Sequence, residues 1–150
     1  MRAIIQKVEK ASVSINDKVK SKINSGILIF IGIEEEDALD DIDWLSKKIA
    51  QLRIFDDENG IMNLSIQDVN GEALVISQFT LHAKVKKGNR PSYIKAAKPD
   101  IAIPLYNQFV GALNQLISKE IQTGEFGAYM QISLVNDGPV TIFIDTKNKE

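Results

Sequence analysis

A chain of 150 residues, 44% hydrophobic and 25% charged, has the length and balance of one globular domain over residues 1–150, not of a disordered or fibrous protein. The lack of cysteine excludes disulfides, thiolate catalysis and cysteine-based zinc sites. A net charge of −2 gives no general affinity for polyanions, so any nucleic-acid contact must come from local clustering of charge.

The N-terminal residues Met1-Arg2-Ala3-Ile4-Ile5 lead into polar positions without the apolar core of a signal peptide. The longest apolar run, 26–33, is too short to span a bilayer. A cytoplasmic location and no membrane partner are therefore expected. Residues 3–8 and 11–15 are rich in β-branched side chains and predict strands, and Asn16-Asp17 supplies a turn before a third strand at 18–23. The unbroken apolar segment 26–31 suits a strand buried on both faces.

Ile42, Leu45, Ile49 and Leu52 recur at helical spacing, with Asp40, Asp41 and Asp43 near the start, where the helix dipole favours negative charge. That placement gives much of the acidic run from Glu34 to Asp43 a structural role. Asp56-Asp57-Glu58-Asn59-Gly60 predicts a loop, and its spacing does not match an EF-hand. Strand character returns at 74–81. A second helix is expected over 100–119, with Leu105, Phe109, Leu113 and Leu116 as its stripe and Pro104 tolerable only in its first turn. Residues 130–135 and 140–145 complete the strands, joined by a turn at Asn136-Asp137-Gly138-Pro139. Many strands and two helices predict an α+β fold with a largely antiparallel sheet or barrel. The glycine fingerprints of the Rossmann and P-loop folds are missing.

Polar chemistry concentrates in two places. Ser77-Gln78-Phe79-Thr80 ends an apolar strand with hydroxyls, an amide and backbone N–H groups that could orient a carbonyl or stabilise an oxyanion. His82 is the only histidine, and on a continuing strand it would share a face with Thr80. A lone polar histidine leaving a strand is expected to face solvent, however, and it is not assigned as a base. Between 73 and 99 there is no acidic residue, while Lys84, Lys86, Lys87, Arg90, Lys95 and Lys98 all occur there. Such a stretch is either a solvated loop or a phosphate-contacting patch with the acidic run on the far side.

The segments Ser77-Gln78-Phe79-Thr80-Leu81 and Asn136-Asp137-Gly138-Pro139-Val140-Thr141 resemble the two signature motifs of the D-aminoacyl-tRNA deacylases (the D-tyrosyl-tRNA deacylase family). Arg53-Ile54-Phe55, Met62-Asn63-Leu64, Arg90-Pro91-Ser92 and Thr123-Gly124 followed by Phe126, Ala128 and Met130 also match. Tyr93 stands where phenylalanine is more usual, and the likeness spans essentially the whole chain. It implies a hydrolase of the ester in D-aminoacyl-tRNA, with a glycyl-tRNA side activity. It also implies a homodimer with active sites at the interface, and no metal or organic cofactor. Ser77, Gln78, Phe79 and Thr80 would then form the catalytic wall. Gly138-Pro139, joined by a cis bond, would reach into the partner's site and reject L-side chains. Lys84, Lys86, Lys87 and Arg90 would contact tRNA. For mechanism, the resemblance leaves Thr80 as a nucleophile or, as favoured here, the tRNA 2′-OH as the assisting group.

Overall fold

The computed structural model describes all residues, Met1–Glu150. The strands expected at 3–8 and 11–15 are one strand, β1 (Arg2–Ile15), which turns back at Asn16-Asp17 into β2 (Lys18–Ile23) and β3 (Gly26–Gly32). β1 pairs antiparallel with β2 through Ala11↔Ile23 and with β3 through Val8↔Gly26, so β2 and β3 form the continuous return arm of one long hairpin. Asn16 and Asp17 both take positive φ, at 50° and 63°, which Asn and Asp tolerate better than most side chains.

Helix α1 (Leu39–Gln51) follows, buries Ile42, Leu45 and Ile49 as its spacing predicts, and starts with Asp41 accepting the Ala38 N–H at 2.9 Å. The hairpin of β4 (Phe55–Asp56) and β5 (Met62–Leu64) comes next, and the carboxylates of the 56–60 loop have structural uses. Asp57 accepts the N–H groups of Asn59 and Ile61, and Asp56 pairs with Lys7. β6 (Glu72–Ser77) then lies parallel to β3. A Cβ on Gly26 would overlap the Glu72 carbonyl, so glycine is required where these strands meet.

Helix α2 (Pro99–Leu116) returns the chain to β7 (Gln122–Thr123), parallel to β6, and β8 (Gln131–Asp145) runs antiparallel along the other edge of β1. Pro104 sits in the second turn of α2, not the first; the helix continues through it without the N–H that would reach Asp100.

The sheet order is β2-β1-β3-β6-β7 with β8 on β1, so antiparallel pairing dominates and the two crossovers through α1 and α2 add parallel pairs. Ser21 Oγ donates to the Thr123 carbonyl at 2.7 Å, drawing β2 towards β7 and nearly closing a barrel. Alternation along the strands divides the apolar side chains. Ile27, Ile29, Ile31, Ala73 and Val75 face the helices, whereas Leu28, Leu74 and Ile76 fill the barrel with Val8, Ala11 and Val13. Neither helix is long and apolar enough to cross a membrane.

Candidate active site

β6 ends at Ser77, four residues before the strand expected at 74–81. The chain there folds into a short 3₁₀ turn, Phe79–His82. Gln78 N–H donates to the Ile31 carbonyl at 2.8 Å, which fixes the turn to the end of β3. Gly32 gives it room, since a Cβ there would come within 3.0 Å of the Gln78 carbonyl and of Leu81 Cβ. Arg2 donates to the Leu81 carbonyl at 3.0 Å from the β1 side.

The turn fronts a cavity of about 250 Å³, and 10 of its 13 lining residues are hydrophobic. Ser77, Gln78 and Phe79 form its polar wall, with Ile31, Ile76, Ala97 and Ala102 behind. The far side is Phe126-Gly127-Ala128-Tyr129-Met130, a segment matched above by resemblance but given no role. Its signal in the sequence is the glycine and small-residue spacing from Gly124 to Ala128, which lets a loop lie against a strand end. Phe79 and Tyr93 pack edge to face at 5.0 Å, and both are exposed beside the opening.

Thr80 does not line the cavity; its hydroxyl accepts from the Gln78 side-chain amide at 2.5 Å. The expected positions of Thr80 and His82 are overturned. On a 3₁₀ turn of three residues per revolution, positions 80 and 82 do not share a face. His82 is buried rather than solvent-facing, at 1% exposure, with neither ring nitrogen hydrogen-bonded. It sits under the turn against Gly32. The Thr80 hydroxyl makes no hydrogen bond to a base; its side-chain partner is the Gln78 amide.

The second motif is not a turn between two strands. Residues on both sides pair with the same neighbour, Val135 with Lys10 and Thr141 with Gln6, and the register slips between them. Asp137 to Pro139 therefore bulge out of a single strand. Asn136 closes the neck, its Nδ2 donating to the Lys7 and Val140 carbonyls at 2.9 and 3.0 Å. Lys7, almost fully buried, pairs with Asp56 at 2.9 Å and Asp137 at 3.2 Å. Burial pushes its pKa down, but the two carboxylates outweigh that and hold it above the usual lysine value. The Gly138-Pro139 peptide is cis, and Gly138 has φ +122°.

Within one chain the two motifs are far apart. Ser77 aligns through Ile31 and Ala3 with Ile144, whereas the bulge lies opposite Lys7 and Val8. Three strand spacings and about five residues along the sheet put them on the order of 20 Å apart.

The basic stretch leaves the 3₁₀ turn as a loop closed at its base by Lys84 and Ser92, which exchange backbone hydrogen bonds of 2.8 and 3.1 Å. Lys84, Lys86, Lys87 and Arg90 are exposed and pair with no carboxylate. The acidic run is not on the far side. Glu34 bridges to Ala96, and Glu34, Glu35 and Glu36 line a hollow with Lys95. The basic charge at 84–90 is thus free of carboxylate partners.

Architecture and cavity define a small α+β protein with an apolar pocket of side-chain size, walled on one side by an amide, a hydroxyl and backbone. Residues 4–145 match the family described as D-Tyr-tRNA(Tyr) deacylase. Proteins named D-aminoacyl-tRNA deacylase from Bacteroides fragilis and Flavobacterium psychrophilum are 65% and 61% identical, over the full length of both chains. A solved structure described as c-Myc DNA Unwinding Element Binding Protein is 39% identical with a TM-score of 0.91, covering 97% of this chain and 98% of that one. Another, described as a probable eukaryotic D-amino acid tRNA deacylase, is 16% identical with a TM-score of 0.81 over 95% of this chain and 97% of that one, a likeness of fold. The chain belongs to the D-Tyr-tRNA(Tyr) deacylase family, and it is a hydrolase acting on an ester bond.

Proposed function

We propose that this enzyme hydrolyses the ester between a D-amino acid and the 3′ end of tRNA, acting as a homodimer in which each Gly138-Pro139 bulge completes the partner's site. The observation that carries this reading is the separation of the two motifs. Each is held firmly in place, yet on the order of 20 Å of sheet lies between them in one chain. A second copy can bring them together.

Two features favour such a copy. β8 pairs only with β1, leaving a long strand edge open. On the face away from the helices, Phe143, Ile4 and Phe30 form one row across three strands, with Phe143 58% exposed.

In the assembled site the apolar cavity takes the amino-acid side chain, and Ser77 and Gln78 hold the ester. The N–H groups of Phe79 and Thr80 begin the 3₁₀ turn, have no acceptor within it, and face the developing oxyanion. Chirality is decided by exclusion: the partner's Gly-Pro backbone occupies the space that an L-side chain needs. Glycine has no side chain to exclude, so glycyl-tRNA is also a substrate. With the Thr80 hydroxyl hydrogen-bonded to Gln78 and to no base, the tRNA 2′-OH is the assisting group. Lys84, Lys86, Lys87 and Arg90 meet the phosphates entering the site.

Matched D- and L-aminoacyl-tRNA should separate cleanly in an ester-release assay, with the D-ester consumed and the L-ester spared. Equal hydrolysis of both, or of neither, overturns the reading. Thr80→Ala should keep single-turnover deacylation within about tenfold of the parent. A fall to the uncatalysed rate would restore Thr80 as nucleophile.

A further inference from the structure

A second basic surface lies on the outside of the barrel, and nothing in the proposed chemistry uses it. Lys22, Ser12 and Ser133 stand side by side across β2, β1 and β8, in the register Ser12↔Lys22 and Ser12↔Ser133. Lys10, two residues along β1 from Ser12, projects from the same face. Together with Asn24 these residues line an open cleft of about 390 Å³ on the outside of the barrel. Lys20 falls at the irregularity in the β1–β2 pairing, where the extra residue is pushed outward, and Lys18 continues the series to the hairpin tip.

All four lysines are exposed, and none pairs with a carboxylate, in contrast to Lys7, Lys47, Lys119 and Lys147. The neighbouring acids are Asp17 at the tip, Glu9 before Lys10, and Glu72 and Glu120, which line a hollow with Lys22 and Lys119; Glu72 is engaged by the Asn24 N–H and by Lys119. In a chain of net charge −2, four unneutralised ammonium groups with hydroxyl and amide donors between them form a concentrated positive site.

We infer that this cleft binds the phosphate backbone of the tRNA body, as a contact separate from the basic loop at 84–90. The inference rests on the proposed tRNA substrate and extends it beyond the acylated end. Lys10 stands opposite Val135, five residues along β8 from Met130 of the cavity wall, about 17 Å. A stacked strand carrying one phosphate per roughly 3.4 Å crosses that distance in about five steps, so the contact falls on backbone several nucleotides from the acylated end. Lysines suit this role because they meet phosphates as point charges without reading sequence.

The test is fluorescence anisotropy with two RNAs: deacylated full-length tRNA, and a short single-stranded oligonucleotide matching only its 3′ end. For the variant K10Q/K20Q/K22Q, the Kd for tRNA should rise about tenfold at low salt. The slope of log K against log salt should become shallower by about two to three, since each lost phosphate contact removes roughly 0.7 to 0.9. Its Kd for the oligonucleotide should stay at the parent value, which also shows that the variant is folded. An unchanged tRNA Kd and slope would overturn the inference, as would equal weakening for both RNAs. Failure of the proposed reaction is seen elsewhere: parent protein that binds tRNA through the cleft but leaves the D-ester intact refutes the activity and not the surface.

Discussion

At Gly138 the backbone stands at φ +122°, and a Cβ there would lie 2.8 Å from Val140 Cγ2 and 3.1 Å from the Val140 nitrogen. An L-side chain adopts that conformation only at a cost of about 1–3 kcal/mol. The bulge projects from the strand and is exposed, so it can relax by moving Pro139 rather than bearing the whole strain. Gly138→Ala should therefore cost little stability, within about 4 °C of Tm, because the core is untouched. In the proposed homodimer it should lower D-ester turnover by tenfold or more, because the displaced backbone would no longer fit the partner's cavity. Thermal melts and kcat/KM on the same preparation check both halves; unchanged turnover would remove the bulge from the site.

The helices show how far local sequence reaches. The stripe through Ile42, Leu45 and Ile49 predicts α1 because burial there is set by neighbours three and four residues away. The motif Ser77–Leu81 is as plain in the sequence as a helix, yet its 3₁₀ turn is not. The strand stops at Ser77 because Gln78 N–H is taken by Ile31 and because Gly32 leaves space, and both lie more than forty residues earlier. The β8 bulge is hidden for a similar reason: Asn-Asp-Gly-Pro also makes a hairpin, and only pairing of both flanks with β1 distinguishes the two. Pro104 is a third instance, since a helix rule keeps proline to the first turn and tertiary packing of Ala102, Tyr106 and Phe109 overrides it. That override leaves the Asp100 carbonyl without its helical donor, because Pro104 has no N–H. Pro104→Ala should restore the bond. Part of the gain is offset by the roughly 0.4–1 kcal/mol that proline contributes by restricting the unfolded chain. A net gain of about 1–2 kcal/mol corresponds to a rise of a few degrees in Tm at this size. Urea unfolding should show the higher midpoint with an unchanged slope, and a lower midpoint would mean the helix is fitted to its proline.

For the molecule as a whole, one ionic cluster joins the start of β1, the loop before α1, the first turn of α1 and the end of β8. The Met1 ammonium is buried with the Asp37 carboxylate and lies 2.8 Å from Thr146 Oγ1. Lys147 Nζ contacts Asp41 at 2.8 Å and the Glu36 carbonyl at 2.9 Å, and Arg2 pairs with Asp145 at 2.9 Å. Burial alone would push the Asp41 pKa up. Hydrogen bonds from Lys147, Thr146 and the Ala38 N–H, with the nearby N-terminal charge, outweigh it and hold the carboxyl at about 2. Because that value lies below the ordinary 3.8, the ionised form is favoured in the folded state. Its stabilisation is complete above pH 4 and is lost as pH falls through about 2. The gap is equivalent to about 2 kcal/mol. Asp41→Asn removes the charge without removing the volume, so the variant should be less stable than the parent at pH 7. Its stability should also fall less steeply between pH 4 and pH 2, and the two curves should converge at the acid end. Chemical unfolding at pH 7, 4 and 2.5 measures this directly. Parallel loss in both proteins would mean that the acid limb is set by other carboxylates, and that the contact between α1 and the end of β8 depends on packing rather than on this pair.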